Sequence, residues 1–87
     1  MVARWGGEEF ILMLPQTNLE QGVLVAQKLR STVENHKFKD IDKITCSIGV
    51  AQYHKTDTIV ELFKRVDTAL YKAKNNGRNK VEIEHLN

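Results

Sequence analysis

The sequence predicts a mixed α/β fold: one domain whose elements follow the order ββαβαβ. Three observations carry this. Residues 1–14 place runs of strand-formers on either side of a Gly-Gly turn. Two later segments step their apolar residues at three and four, each behind a capping-box pattern. Two short segments between and after them alternate apolar with polar or small residues.

The first hairpin spans roughly Met1 to Leu14. Val2, Ala3 and Trp5 lead into the turn, and Phe10, Ile11, Leu12, Met13 and Leu14 leave it. Pro15 ends the second strand because proline has no N–H for a ladder. Thr17 followed by Glu20 predicts a helix start, and Val23, Ala26, Leu29, Arg30 and Val33 supply its face. Gly22 either weakens this helix or permits close packing. Asn35-His36-Lys37 ends it, and a charged connection over residues 39–43 follows.

The third strand is predicted over Ile44–Tyr53. Ile44, Cys46, Ile48 and Val50 face one way. Thr45, Ser47, Gly49 and Ala51 face the other, which suits a closely packed helix, or a ligand, against small residues. Thr58 and Glu61 form a second capping box, followed by a stripe of Ile59, Leu62, Phe63, Val66, Ala69, Leu70 and Ala73. Gly77 is placed to end that helix. Val81 and Ile83 alternate with Lys80, Glu82 and Glu84 in a half-exposed last strand.

Composition narrows the function classes. With 87 residues the chain is at most one domain. A net charge of +2 is too mild for a nucleic-acid groove or an anionic membrane surface. No apolar run reaches the roughly 18–20 residues of a membrane span. The expectation is therefore no nucleic-acid partner, no direct membrane contact and a cytoplasmic location, tethered if at all through a parent protein. Cys46 is the single cysteine, which excludes an intrachain disulfide and suits a small core residue. His36, His54 and His85 are scattered and match no catalytic pattern.

Gly6-Gly7-Glu8-Glu9-Phe10 is the segment with chemical content. Glycines at a hairpin tip allow positive φ and close approach of a ligand to the backbone. Adjacent carboxylates are hard oxygen donors suited to Mg²⁺. On spacing alone, the same residues also describe an ordinary turn followed by two solvated glutamates. Three longer motifs decide the matter together. Arg4-Trp5-Gly6-Gly7-Glu8-Glu9-Phe10 resembles the signature of the GGDEF family of diguanylate cyclases in its Glu variant. Thr45-Cys46-Ser47-Ile48-Gly49-Val50-Ala51 resembles that family's SIGVA strand. The run from Asp67 to Asn79, DTALYKAKNNGRN, resembles its last helix end, with Val66 where the family usually has Ala.

The resemblance implies a partial ferredoxin-like or palm nucleotide-cyclase fold, an α+β sandwich. Residues 1–87 would be the C-terminal portion of one GGDEF domain. It implies condensation of two GTP molecules to cyclic di-GMP, with Mg²⁺ or Mn²⁺ as cofactor and a second GGDEF domain as homodimer partner, in a bacterial cytoplasm. Glu8 would be the metal ligand and a catalytic group, and Glu9 would support it. Gly6 and Gly7 would let the nucleotide lie against the backbone. Lys74 and Arg78 would contact phosphate; without the resemblance they read equally as basic residues complementing a helix C-terminus. Asp67 is expected to bond a neighbouring backbone group, Tyr71 to anchor at the surface, and Trp5 to pack.

The family's first strand, with its metal-binding Asp, and two helices are expected to be absent, as is the upstream inhibitory Arg/Asp motif. That strand would separate the Phe10–Leu14 strand from the Thr45–Ala51 strand. The chain would then close its sheet directly or pair with another chain. The isolated chain is expected to be inactive. The alternatives are a non-catalytic module that binds GTP or cyclic di-GMP, and an RNA-binding module, which the lack of an aromatic pair on the central strands disfavours.

Overall fold

A computed structural model describes residues 2–6, 10–13, 17–36 and 44–84. Its elements are β1 (Val2–Trp5), β2 (Phe10–Met13), α1 (Leu19–Asn35), β3 (Ile48–Ala51), α2 (Ile59–Asn75) and β4 (Val81–Glu84). This is the predicted ββαβαβ order. Pro15 and the charged connection at 39–43 lie outside the described residues.

The strands form one sheet in the order β2-β1-β3-β4. β1 runs antiparallel to both neighbours, pairing Trp5 with Phe10 on one side and with Ile48 on the other. β3 and β4 are parallel, joined by α2 as the crossover. This corrects the expected sheet plan. The Phe10 and Ile48 strands are separated by β1, so the sheet is continuous across its middle. Among the described residues, β2 and β4 are its edges.

The two helices lie on opposite faces. Ala3, Val50 and Ile83 share one face by register, and with Ile48 and Cys46 they meet Ala26, Val23, Leu29 and Val33 of α1. Val2 and Ala51 face the other way and meet Leu62 and Val66 of α2. β3 is covered on both sides, and all four of its residues are buried. Burying side chains such as Ile48 and Val50 contributes about 1.5–3 kcal/mol each.

The small-residue face of β3 is explained by packing. A Cβ on Gly49 would stand 2.3 Å from the Leu70 nitrogen and 2.5 Å from the Val66 carbonyl oxygen, so α2 rests against the bare strand backbone. Ala69 and Ala73 continue the contact as fully buried residues. Cys46 is buried, as the sequence predicts, and burial pushes its thiol pKa up.

Three local expectations need adjustment. The N-cap of α1 is Asn18, one residue past the predicted Thr17, and its side chain accepts the Gln21 N–H at 2.8 Å. The third strand is only Ile48–Ala51, because residues 44–47 and 52–54 leave the ladder. Ile59, assigned to the α2 stripe, is 72% exposed, and the buried stripe begins at Leu62. The Thr58–Glu61 capping box forms as predicted, with both reciprocal bonds at 3.1 Å.

The loop entering α2 is pinned from within. The Arg65 guanidinium donates to both oxygens of Asp57, at 2.5 and 2.7 Å, and to the Gln52 carbonyl at 2.7 Å. The His54 N–H also donates to Asp57. These bonds hold the Asp57 carboxyl at a pKa of about 2 rather than 3.8.

Candidate functional site

The site is built where the β1–β2 turn meets the C-terminal end of α2. Trp5 and Phe10 are the last pair of the β1–β2 ladder. Gly7, Glu8 and Glu9 lie outside the described residues. Gly6 is described, and its N–H donates to the Ser47 carbonyl at 3.0 Å, which ties the start of the loop to the approach of β3. Trp5 is half-buried and packs on the α1 side of the core, as predicted.

Gly6 is required for closeness, not for a positive φ, which Gly77 adopts instead. A Cβ on Gly6 would lie 2.4 Å from Cε and 2.9 Å from Nζ of Lys74. The end of the Lys74 side chain therefore lies across the glycine. This separates two readings of the basic residues in the last turn of α2. Lys72 pairs with Glu84 at 2.5 Å, a surface contact to β4. Lys74 instead carries its ammonium to Gly6, just past the end of β1.

Arg78 follows from how α2 stops. The Asn76 N–H donates to the Lys72 carbonyl at 2.9 Å, and the Arg78 N–H donates to the Ala73 carbonyl at 3.0 Å. With Gly77 at φ 109°, this is a Schellman arrangement at the predicted glycine. The turn continues left-handed through Arg78 (φ 61°) and Asn79 (φ 50°). A non-glycine residue in that region costs roughly 1–2 kcal/mol. Arg78 is exposed, one turn beyond Lys74.

Some residues gain roles that the sequence reading did not give them. Arg4 points to the α2 face, and its guanidinium pairs with Asp67 at 2.6 Å. Asp67 therefore bonds a side chain of β1 on the face that α2 covers, not the backbone expected. Arg4, Asp67, Leu70, Tyr71 and Lys74 line an open pocket beside Gly6. Tyr71 is 67% exposed on its rim, as its amphipathic character suggested. Asn79 bonds Arg30, Glu34 and Ser47. A non-glycine residue directly after Gly-Arg at a helix end was the available signal for Asn79. For Arg4, the signal was a charged residue inside a short apolar strand.

Among the described residues, no group of three or more His, Cys, Asp or Glu side chains is arranged to hold a metal ion. No described helix is long and apolar enough to cross a membrane.

The family profile described as "Diguanylate cyclase, GGDEF domain" matches residues 1–80. Diguanylate cyclase DgcM of Escherichia coli strain K12 is 49% identical over 81 residues, covering 93% of this chain and 20% of that protein. Diguanylate cyclase DgcP of Pseudomonas aeruginosa is 38% identical over 85 residues, covering 94% of this chain and 13% of that protein. Among solved structures, the active GGEEF domain of a Vibrio cholerae diguanylate cyclase superposes with a TM-score of 0.83 at 37% identity, covering 94% of this chain and 54% of that one. The GGDEF domain of DgcB from Caulobacter crescentus, solved with c-di-GMP, gives 0.83 at 28% identity over 90% of this chain and 49% of that one. The chain thus spans about a fifth or less of these curated relatives and about half of these solved chains. With the profile matched over nearly its whole length, the chain belongs to the GGDEF domain family of diguanylate cyclases.

Proposed function

We propose that this chain supplies the hairpin-and-helix half of a diguanylate cyclase site, which condenses two GTP molecules to cyclic di-GMP and two pyrophosphates. The observation that carries the reading is Lys74 lying across Gly6. It brings a positive charge to the start of the segment that continues into Glu8 and Glu9, and a triphosphate needs both features side by side.

Each residue then has a task. Lys74 acts as a point charge on phosphate oxygens, and Arg78 as a planar fork for two of them. Gly6 leaves room for the end of Lys74, and Gly7 leaves room for the nucleotide against the backbone. Glu8 would hold the divalent ion and accept the proton of the attacking 3′-hydroxyl, with Glu9 supporting it. A bound Mg²⁺ or Mn²⁺ would neutralise phosphate charge and acidify that hydroxyl. The 3′-oxygen of one GTP forms a bond to the α-phosphorus of the other, the α–β phosphoanhydride bond breaks, and pyrophosphate leaves. Two such exchanges close the ring, so two domains must face each other with one GTP each. The working form is therefore a homodimer. Since the chain spans about half of the solved domains it matches, it binds nucleotide alone and turns over only with the rest of the domain.

The test is calorimetric titration of this chain with Mg²⁺-GTP, paired with a chromatographic assay for cyclic di-GMP. The expected result is saturable binding, weakened at least about ten-fold by Glu8→Ala or Lys74→Ala, with no product. Equal binding by wild type and both variants would refute the site. Product that disappears in Glu8→Ala would refute the claim that the chain needs its missing half.

A further inference from the structure

We propose that Asn79 is a positioning residue. Through Ser47, Arg30 and Glu34 it holds the left-handed turn at 77–79 and so fixes where Arg78 is presented relative to Gly6. The inference rests on the phosphate-binding reading of Lys74 and Arg78.

The backbone is the first observation. A Schellman cap needs one left-handed residue, and Gly77 provides it. Arg78 and Asn79 are left-handed as well, at φ 61° and 50°. Two consecutive non-glycine residues of this kind persist only where the surroundings over-determine them. Asparagine is among the few side chains that tolerate the conformation.

The surroundings are the second observation. The Asn79 N–H donates to the Ser47 hydroxyl at 3.1 Å. Its side-chain oxygen accepts from the Arg30 guanidinium at 3.0 Å, and its side-chain nitrogen donates to the Glu34 carboxylate. Arg30 and Glu34 stand one turn apart on α1, so both polar ends of the amide are matched by one helix face. Immediately afterwards the Lys80 carbonyl accepts the Ile48 N–H at 2.8 Å, and the β3–β4 ladder begins.

Ser47 joins the two halves of the site. It is only 5% exposed; its hydroxyl takes the Asn79 N–H and its carbonyl takes the Gly6 N–H. The turn that carries Arg78 and the turn that opens the hairpin loop are thus referenced to one buried residue. Asn79 locks the first of them, and α1, on the opposite face of the sheet from α2, supplies the lock.

The experiment uses the 87-residue chain with two variants. Asn79→Gly keeps the turn's backbone freedom and deletes the amide. Arg30→Gln removes the charged donor from α1 and leaves the turn sequence untouched. The first measurement is the Arg78 φ angle by NMR, from the intraresidue amide-to-α-proton NOE read together with the coupling between the same protons. Loss of its left-handed value in both folded variants is expected; its retention overturns the proposal. The second is the affinity for inorganic pyrophosphate without divalent metal. Each variant should weaken binding about five-fold, and Asn79→Gly combined with Arg78→Ala should bind no more weakly than Arg78→Ala alone. Fully additive losses would show that Asn79 does not act through Arg78, and would overturn the proposal. If wild type and Arg78→Ala bind pyrophosphate equally, the phosphate reading of Arg78 fails on its own, and the φ measurement still decides what Asn79 holds.

Discussion

Gly49→Ala tests the central packing contact of the fold. The added methyl would meet the Leu70 nitrogen at 2.3 Å, the Val66 oxygen at 2.5 Å and the Leu70 Cα at 2.9 Å. All three are backbone atoms of α2, so no rotamer change relieves them. Normal contact needs about 3.5 Å, and the helix must lift by roughly 1 Å. Lifting it disturbs Leu62, Val66, Ala69, Leu70 and Ala73 together. Overpacking of this kind costs about 1–3 kcal/mol, and a rigid obstacle belongs at the upper end. Alanine also trims the unfolded chain's entropy, which returns about 0.4–1 kcal/mol. The net loss is about 2 kcal/mol, a large share of the roughly 4–13 kcal/mol that a domain of this size holds. It corresponds to a fall in Tm of about 8–16 °C. Urea and thermal unfolding followed by far-UV circular dichroism measure it. Gly77→Ala is the contrast: its Cβ has only the Lys80 Cε at 3.7 Å, so its cost is backbone strain at φ 109°. A Gly49→Ala loss below about 0.5 kcal/mol would refute the close seating of α2 on β3.

Three further outcomes follow from the structure. Asp57 has its folded pKa lowered to about 2 from 3.8, so its contribution is present above pH 3.8 and is lost as pH falls through 2; Asp57→Asn should be less stable than wild type at pH 5, with the gap narrowing by pH 2.5, as read by urea midpoints. Thr58→Ala removes the cap bond to Glu61 and should cost about 1 kcal/mol by chemical denaturation, whereas Thr58→Ser should recover most of it. Cys46 is buried with a raised thiol pKa, so the native chain should resist an aromatic disulfide reagent at pH 8 and react fully only in denaturant; prompt native reaction would contradict its place in the core.

Local signals in the sequence were strong where one element decides its own shape. The Thr58 capping box, the α2 stripe from Leu62 onward and Gly77 need only neighbours within a turn or two, and all three are found as expected; only Ile59, at the head of the stripe, is exposed. The small-residue face of β3 was legible in part: Gly49 and Ala51 suited a close helix or a ligand, and the structure places the helix there. What the sequence could not convey was pairing at a distance. Nothing local in Val2–Trp5 indicates that it sits inside the sheet against Ile48, and the expected gap there rested on a sheet plan, not on residues. Arg4 and Asp67 lie 63 positions apart, so their ion pair appears only once β1 faces α2. Asn79 reads as a turn residue until α1 is placed beside it. The Thr17-to-Asn18 shift of the α1 cap is a different failure: both residue types cap well, and only geometry chooses between them.

The same contact that stabilises the fold also assembles the candidate site. α2 can deliver Lys74 to Gly6 because nothing stands between the helix and β3 at Gly49. The absence of a side chain at Gly49 seats the helix, and the absence of one at Gly6 receives its lysine. Raising α2 by the roughly 1 Å that a Cβ at Gly49 demands would move Lys74 by a distance comparable to the margin within which a charge–phosphate contact is made. Conversely, a side chain at Gly6 meets only the mobile end of Lys74, so Gly6→Ala should leave stability nearly unchanged while displacing the ammonium. The two glycines therefore separate the roles of one helix. Substitution at Gly49 should lower stability and nucleotide binding together, and substitution at Gly6 should lower binding alone. Unfolding and Mg²⁺-GTP titration on the same pair of variants would show it. Equal stability loss at both positions would mean that Lys74 is part of the packing, not a charge held ready beside the loop.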